Sequence, residues 1–201
     1  MTRPSQRYML ERCTSSQEPG YTLTAESVVI DLGSETDVAM VAVREGRDPG
    51  PLSPEVAERV ERGRDVLAIF GDKLAGCLPQ AHLDGPMGPG TADLAGLLIV
   101  LDWKSRKGEH HSQLMHYGHN LRAGVHDGHL GDQKITLIAA WLAQDEGKYA
   151  VWEVGDAELD AWEAEQRKLE AKIGLEYNPG EHCAKCHRRL DCRVRQSWAS
   201  S

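Results

Sequence analysis

The chain contains a single phenylalanine, and aromatic residues make up only 5% of it. Any core must therefore be built mainly from aliphatic side chains. No apolar run comes near the roughly 18–20 residues that span a bilayer, so no membrane partner is expected. Met1–Leu10 lacks an apolar signal core, which points to the cytoplasm. There is no basic excess either: 23 Lys and Arg stand against 31 Asp and Glu, a net charge of −8. That balance argues against indiscriminate binding of nucleic acid. Repeats and low-complexity tracts are absent. Apolar content is ordinary, at 40%, and a chain of 201 residues suits one domain with a real core.

The five cysteines are unevenly placed. Cys183, Cys186 and Cys192 fall within ten residues, while Cys13 and Cys77 are distant. In a cytoplasmic chain such clustering suggests metal ligands rather than disulfides. Thiolates two residues apart reach one metal without strain, but three are too few to close a site. A [4Fe–4S] cluster with Cys13 or Cys77 as fourth ligand would satisfy it, and so would zinc with His182 or His187. The histidines concentrated between His110 and His129 show no recognisable metal spacing and read mostly as surface residues.

The rest of the chain reads as alternating helices and strands. Ser5–Arg12 reads as a short helix, and Ser27–Val43 as an apolar one. Asp48-Pro49-Gly50-Pro51 is a break, after which Ser53 caps a helix with Pro54 at its first position, running to about Phe70. Leu83–Gly90 is rich in Gly and Pro and reads as loop. Thr91–Asp93 and Leu97–Lys104 read as strands joined near Ala95-Gly96. The apolar run Leu97–Leu101 suits a strand buried on both faces. Gln113–Ala123 reads as helix, Ile135–Ala143 and Tyr149–Val154 as strands, and Asp156–Ile173 as a charged amphipathic helix. The expected architecture is α/β, a small mixed sheet flanked by helices, with a cysteine-rich segment at its end.

Two carboxylates and a lysine stand out on this frame. In a strand alternate residues share a face, so Asp102 and Lys104 point the same way. Asp93 can join them from a paired strand. Oxygen ligands beside an ammonium make a site for Mg²⁺ or Mn²⁺, or, more simply, an ion pair at a strand end. Gln113 and Tyr117, four apart, share one helix face and could reach the same place.

Taken in order, Gly90-Thr91-Ala92-Asp93, Asp102-Trp103-Lys104, Gln113-x3-Tyr117 and Pro179-Gly180-Glu181-His182-Cys183-x2-Cys186-x5-Cys192 resemble the RecB-like branch of the PD-(D/E)XK nucleases. The likeness is strongest to members with a C-terminal iron–sulfur cluster, such as the CRISPR-adaptation exonucleases, the AddB nuclease domain and small phage-encoded exonucleases. The resemblance implies a restriction-endonuclease-like core and a Mg²⁺- or Mn²⁺-dependent exonuclease acting on DNA ends or single strands. Its setting would be phage or mobile-element recombination, with a recombination or CRISPR-type protein partner. It implies catalytic roles for Asp93, Asp102, Lys104, Gln113 and Tyr117, with Asp93 and Asp102 on the divalent metal. It implies a [4Fe–4S] cluster on Cys13, Cys183, Cys186 and Cys192, leaving Cys77 as a core thiol. Where the family has a metal-binding histidine on an early helix, the nearest match is Asp37, with Glu35 as rival. A catalytically inactive DNA- or protein-binding relative would keep the same fold and cluster.

The implied division is one nuclease domain over 1–201. Residues 1–80 form a helical part with the first cluster cysteine, 81–154 the core, and 155–201 the last helix and cluster segment. Local charge accommodates DNA despite the acidic total. Arg106 and Lys107 lie beside the Asp–Lys motif, and Arg188, Arg189 and Arg193 lie within a terminal stretch of net positive charge.

Overall fold

A computed structural model describes residues 11–13, 28–104, 110–143, 149–173, 175, 176, 178 and 192. Its sheet has five strands in the order β1-β2-β3-β4-β5. They are β1 (Leu78–Leu83), β2 (Gly90–Ala95), β3 (Ile99–Lys104), β4 (Ile135–Trp141) and β5 (Tyr149–Val154). Three helices precede the sheet: α1 (Val28–Arg44), α2 (Pro54–Ile69) and the single turn α3 (Gly71–Leu74). Helix α4 (His111–Val125) connects β3 to β4, and α5 (Asp156–Glu170) follows β5. Only β3 and β4 run parallel, as a crossover through a helix requires. The α/β class, the mixed sheet and its flanking helices agree with the sequence.

Local chemistry explains most boundaries. Ser53 accepts a hydrogen bond from the Val56 amide at 3.4 Å and Pro54 opens α2, a cap worth roughly 1 kcal/mol. Val56, Val60, Gly63 and Val66 form its buried stripe and each valine contributes roughly 1.5–3 kcal/mol when removed from water. Gly63 lets α2 approach α1 closely, since a Cβ there would lie 2.5 Å from the Met40 side chain. Every residue of β4 is buried, as a central strand covered on both faces should be.

The sheet separates two cores. On one face Ala39 and Met40 of α1 and Val56 and Val60 of α2 pack with Leu101, Trp103 and Ile138. Cys77 sits in this cluster, where burial pushes its thiol pKa up, as expected of a core thiol. On the other face Leu114, Tyr117 and Leu121 of α4 and Leu159 of α5 pack with Val100, Leu137 and Ala139.

Three features depart from the sequence reading. Strand β1 was not evident, because Leu78–Leu83 contains Pro79 and is mostly exposed at the sheet edge. His116 and His119 are buried rather than superficial, at 0% and 2% exposure. Each has a partner far away in sequence: His116 Nε2 lies 2.8 Å from the Gly88 carbonyl and His119 Nε2 lies 2.7 Å from Glu163. Glu11 is also tied down over long sequence distances. Its Oε1 accepts from Ser112 Oγ at 2.5 Å and from Gln166 Nε2 at 2.9 Å, so Glu11 is held against α4 and α5. No described helix is long and apolar enough to cross a membrane.

Candidate functional site

The ladder between β2 and β3 is short. Its register holds Ala95 against Val100 and Leu94 against Leu101, and stops there. Beyond it the strands part, and the Trp103 amide donates 2.6 Å to Asp93 Oδ2 instead of continuing the ladder. Asp93 thus stands across the opening from Asp102, as the hairpin reading required. Asp102 pairs with Lys104, whose Nζ also donates 2.8 Å to Gln113 Oε1. Gln113 Nε2 donates 2.8 Å to the Tyr117 hydroxyl. One chain of contacts therefore runs from the strand pair onto the first turns of α4. The predicted i, i+4 pair meets the predicted strand motif.

Asp37 arrives from the other side of the sheet. It lines a small cavity of about 70 Å³ with Lys104, Trp103 and Arg59. Burial and the nearby Asp102 carboxylate raise its pKa to about 6, against the pull of Lys104. Asp93 is pushed well above the ordinary carboxylate range by burial, then by Asp102 and Asp37, with a direct carboxyl contact to Asp102 adding to the effect. Tyr117 is raised by burial and by the field of Asp102. Glu35, the rival on the same helix, is exposed. Three acids from α1, β2 and β3 therefore feel one another in a partly dry place, and one ammonium opposes them.

Such a set fits a hard divalent cation, which takes oxygen ligands and would offset the surplus negative charge. Among the described residues, however, no group of three or more His, Cys, Asp or Glu side chains is already arranged as a metal site. The Lys104 ammonium is the positive charge set against the acids.

Two contributors escaped the sequence reading. Gln80 Nε2 donates 3.0 Å to Asp93 Oδ1. Nothing in Pro79-Gln80-Ala81 signals that, because β1 itself was hidden. Arg59 is the other: it lies three after Val56 and four before Gly63, half-buried beside the buried stripe of α2. Among the described residues Arg59 has no ion-pair partner.

Of the cluster cysteines, Cys13 and Cys192 are free and half-buried. Cys183 and Cys186 lie outside the described residues. Asn178 Nδ2 donates 3.1 Å to the carbonyl of Arg12, the residue before Cys13. The predicted DNA contacts Arg106, Lys107, Arg188, Arg189 and Arg193 also lie outside the described residues.

No family model matches the chain, and no curated protein matches it. A solved structure titled "Crystal structure of SSO0001" covers 95% of this chain and 97% of its own, with 12% identity and a TM-score of 0.35.

Proposed function

We propose that this chain is a Mg²⁺- or Mn²⁺-dependent deoxyribonuclease of the RecB-like PD-(D/E)XK type, acting as an exonuclease on DNA ends or single strands. The observation that carries the reading is the meeting of Asp37, Asp93 and Asp102 with Lys104 and the Gln113–Tyr117 pair where the β2–β3 ladder opens. Asp37, Asp93 and Asp102 would hold the cation. When bound, it lowers the pKa of a coordinated water and offsets phosphate charge. The reaction is hydrolysis: a water oxygen bonds to phosphorus, the phosphorus–oxygen bond to the leaving sugar breaks, and that oxygen takes a proton. Lys104, held by Gln113, orients the attacking oxygen or offsets charge on the phosphate. Tyr117 fixes the Gln113 amide. The [4Fe–4S] cluster of the proposal would join Cys13 to Cys183, Cys186 and Cys192, and the contact of Asn178 with the Arg12 carbonyl supports this reading.

The deciding experiment is degradation of end-labelled single- and double-stranded DNA with Mg²⁺, Mn²⁺ and EDTA. Loss of the label with either metal, blocked by EDTA, supports the reading; intact DNA under all conditions removes it. The competing reading is a non-catalytic DNA- or protein-binding relative. It draws on the absence of a ready metal site among the described residues, and intact DNA would favour it.

Two substitutions probe the parts that differ most from the sequence motifs. Asp37→Ala should raise the metal concentration for half-maximal cleavage about tenfold, the loss of one ligand. Asp37→His should retain activity with a shift toward Mn²⁺, which accepts nitrogen more readily. Glu35→Ala should behave as wild type, because that side chain is exposed. Metal titrations of cleavage by the three variants check this.

Arg59 faces the same cavity and suits a phosphate of the bound strand, as a guanidinium does well. Arg59→Ala should raise KM for DNA roughly 10-fold, the scale of one lost charged contact. Its metal titration should stay unchanged. Arg59→Lys should recover part of the loss. Steady-state kinetics at fixed salt reads both.

A further inference from the structure

Gln80 is the one described non-glycine residue other than Asp127 with a positive φ, at 48°. It occurs inside a strand, where side chains rarely tolerate that conformation. The β1–β2 register gives the setting. Pro79 pairs with Leu94 and Ala81 with Ala92, and the pair between them, Gln80 and Asp93, is missing from the ladder. Across that gap β2 turns over. Ala92 packs on the α4 side of the sheet and Leu94 on the α1 side, although they are two apart. A regular strand would place both on one face. The break therefore falls at Asp93, and the left-handed residue falls on the partner strand directly opposite. The Gln80 side chain then returns to Asp93, donating from Nε2 to Oδ1 at 3.0 Å. Oδ2 is held by the Trp103 amide at 2.6 Å. Each oxygen of Asp93 thus has one fixed donor, and the carboxylate is left facing Asp102.

We propose that Gln80 is the positioning residue of the metal site: its left-handed backbone turns the strand pair over at Asp93, and its side-chain amide sets the angle at which the Asp93 carboxylate meets the cation. This rests on the metal-dependent reading above. Strain kept at one residue of a site, where ordinary strand geometry was open to the chain, is the pattern expected when geometry matters more than stability. The two jobs separate by substitution. Glycine accepts positive φ without steric cost, so Gln80→Gly keeps the turn-over and removes only the amide. Asparagine also tolerates that backbone but is one methylene too short to reach Asp93. Valine resists it, so Gln80→Val should lose the turn-over as well.

The test is calorimetric titration of the full-length protein with MnCl₂, beside thermal melting of each variant. Gln80→Gly should melt at or about 2–4 °C above wild type, as relief of backbone strain predicts. It should nevertheless bind Mn²⁺ roughly 5–10-fold more weakly, the scale of a disturbed second contact around a ligand. Gln80→Asn should show the same weakening, and Gln80→Val a greater one with a lower melting temperature. Wild-type Mn²⁺ affinity in both the Gly and Asn variants overturns the role of the amide, with the metal site itself intact. A wild-type protein that binds no Mn²⁺ overturns this proposal and the metal-dependent reading together.

Discussion

Asp102→Ala and Lys104→Ala are each expected to reduce DNA degradation by at least about 10³-fold while leaving a folded protein. Asp102 is 4% exposed and pairs with Lys104, which in turn holds Gln113. Neither side chain fills the apolar cores on the two faces of the sheet, so truncation takes away site chemistry rather than packing. The expected loss follows from removing a metal ligand or a charge that acts on the reacting phosphate. Asp102→Asn is the cleaner variant because it keeps the shape. Its effect on stability has a definite sign. Asp37 has its pKa raised from 3.8 to about 6 by burial and by Asp102. A carboxyl raised in the folded state favours folding when protonated, so its contribution is present below pH 3.8 and is lost as pH rises through about 6. Without metal, the acidic centre therefore works against folding at neutral pH. Removing the Asp102 charge relieves its neighbours, although it also takes the counter-ion from Lys104. Asp102→Asn should melt no lower than wild type at pH near 7.5 in EDTA, and lose the stabilisation that added Mn²⁺ gives wild type. Circular-dichroism melts with and without metal read the stability, and labelled DNA reads the activity. Wild-type cleavage by either alanine variant would dismiss these residues as catalytic.

The second large effect concerns the thiols. Serine at Cys13, Cys183, Cys186 or Cys192 should each abolish iron incorporation and the absorbance near 400 nm, and lower stability by several kcal/mol. The scale follows from coupling metal binding to folding and from closing a loop of nearly the whole chain. Structure gives Cys13 a particular place. Glu11 is anchored by Ser112 and Gln166, and Arg12 by Asn178, so the chain around Cys13 is held independently of any metal. Cys77→Ser should retain iron, since that thiol lies in the apolar core, and lose only about 1–3 kcal/mol for burying a hydroxyl. Iron analysis of anaerobically purified protein beside a denaturant melt decides it. Iron kept in Cys13→Ser and lost in Cys77→Ser would exchange the two assignments.

The elements most visible in the sequence are those whose signal is local. Ser53 with Pro54 announces α2, the apolar run ending at Asp102 announces β3, and Tyr149–Val154 is bounded by the residues that bound the strand itself. Strand β1 was hidden because an exposed edge strand needs no apolar alternation, and Pro79 reads as a breaker. The buried His116 and His119 were hidden for a different reason. A histidine becomes a core residue only when a distant group, here Gly88 or Glu163, supplies its hydrogen bond.

The site divides along the same line. Asp102 with Lys104, and Gln113 with Tyr117, were legible because strand and helix periods alone put each pair on one face. That the two pairs touch, through Lys104 and Gln113, depends on α4 crossing back over the sheet. The choice of Asp37 over Glu35 was open in the sequence, where both are acids on one helix. The rotation of α1 turns Asp37 toward Trp103 and Lys104 and leaves Glu35 exposed, and the close α1–α2 contact at Gly63 helps fix that rotation. Gln80 had no sequence signal, because its importance lies in a register gap between two strands. Residue spacing determined what each element carries. Only packing determined which elements meet, because contact across a sheet depends on twist, register and helix rotation, and no single segment encodes them.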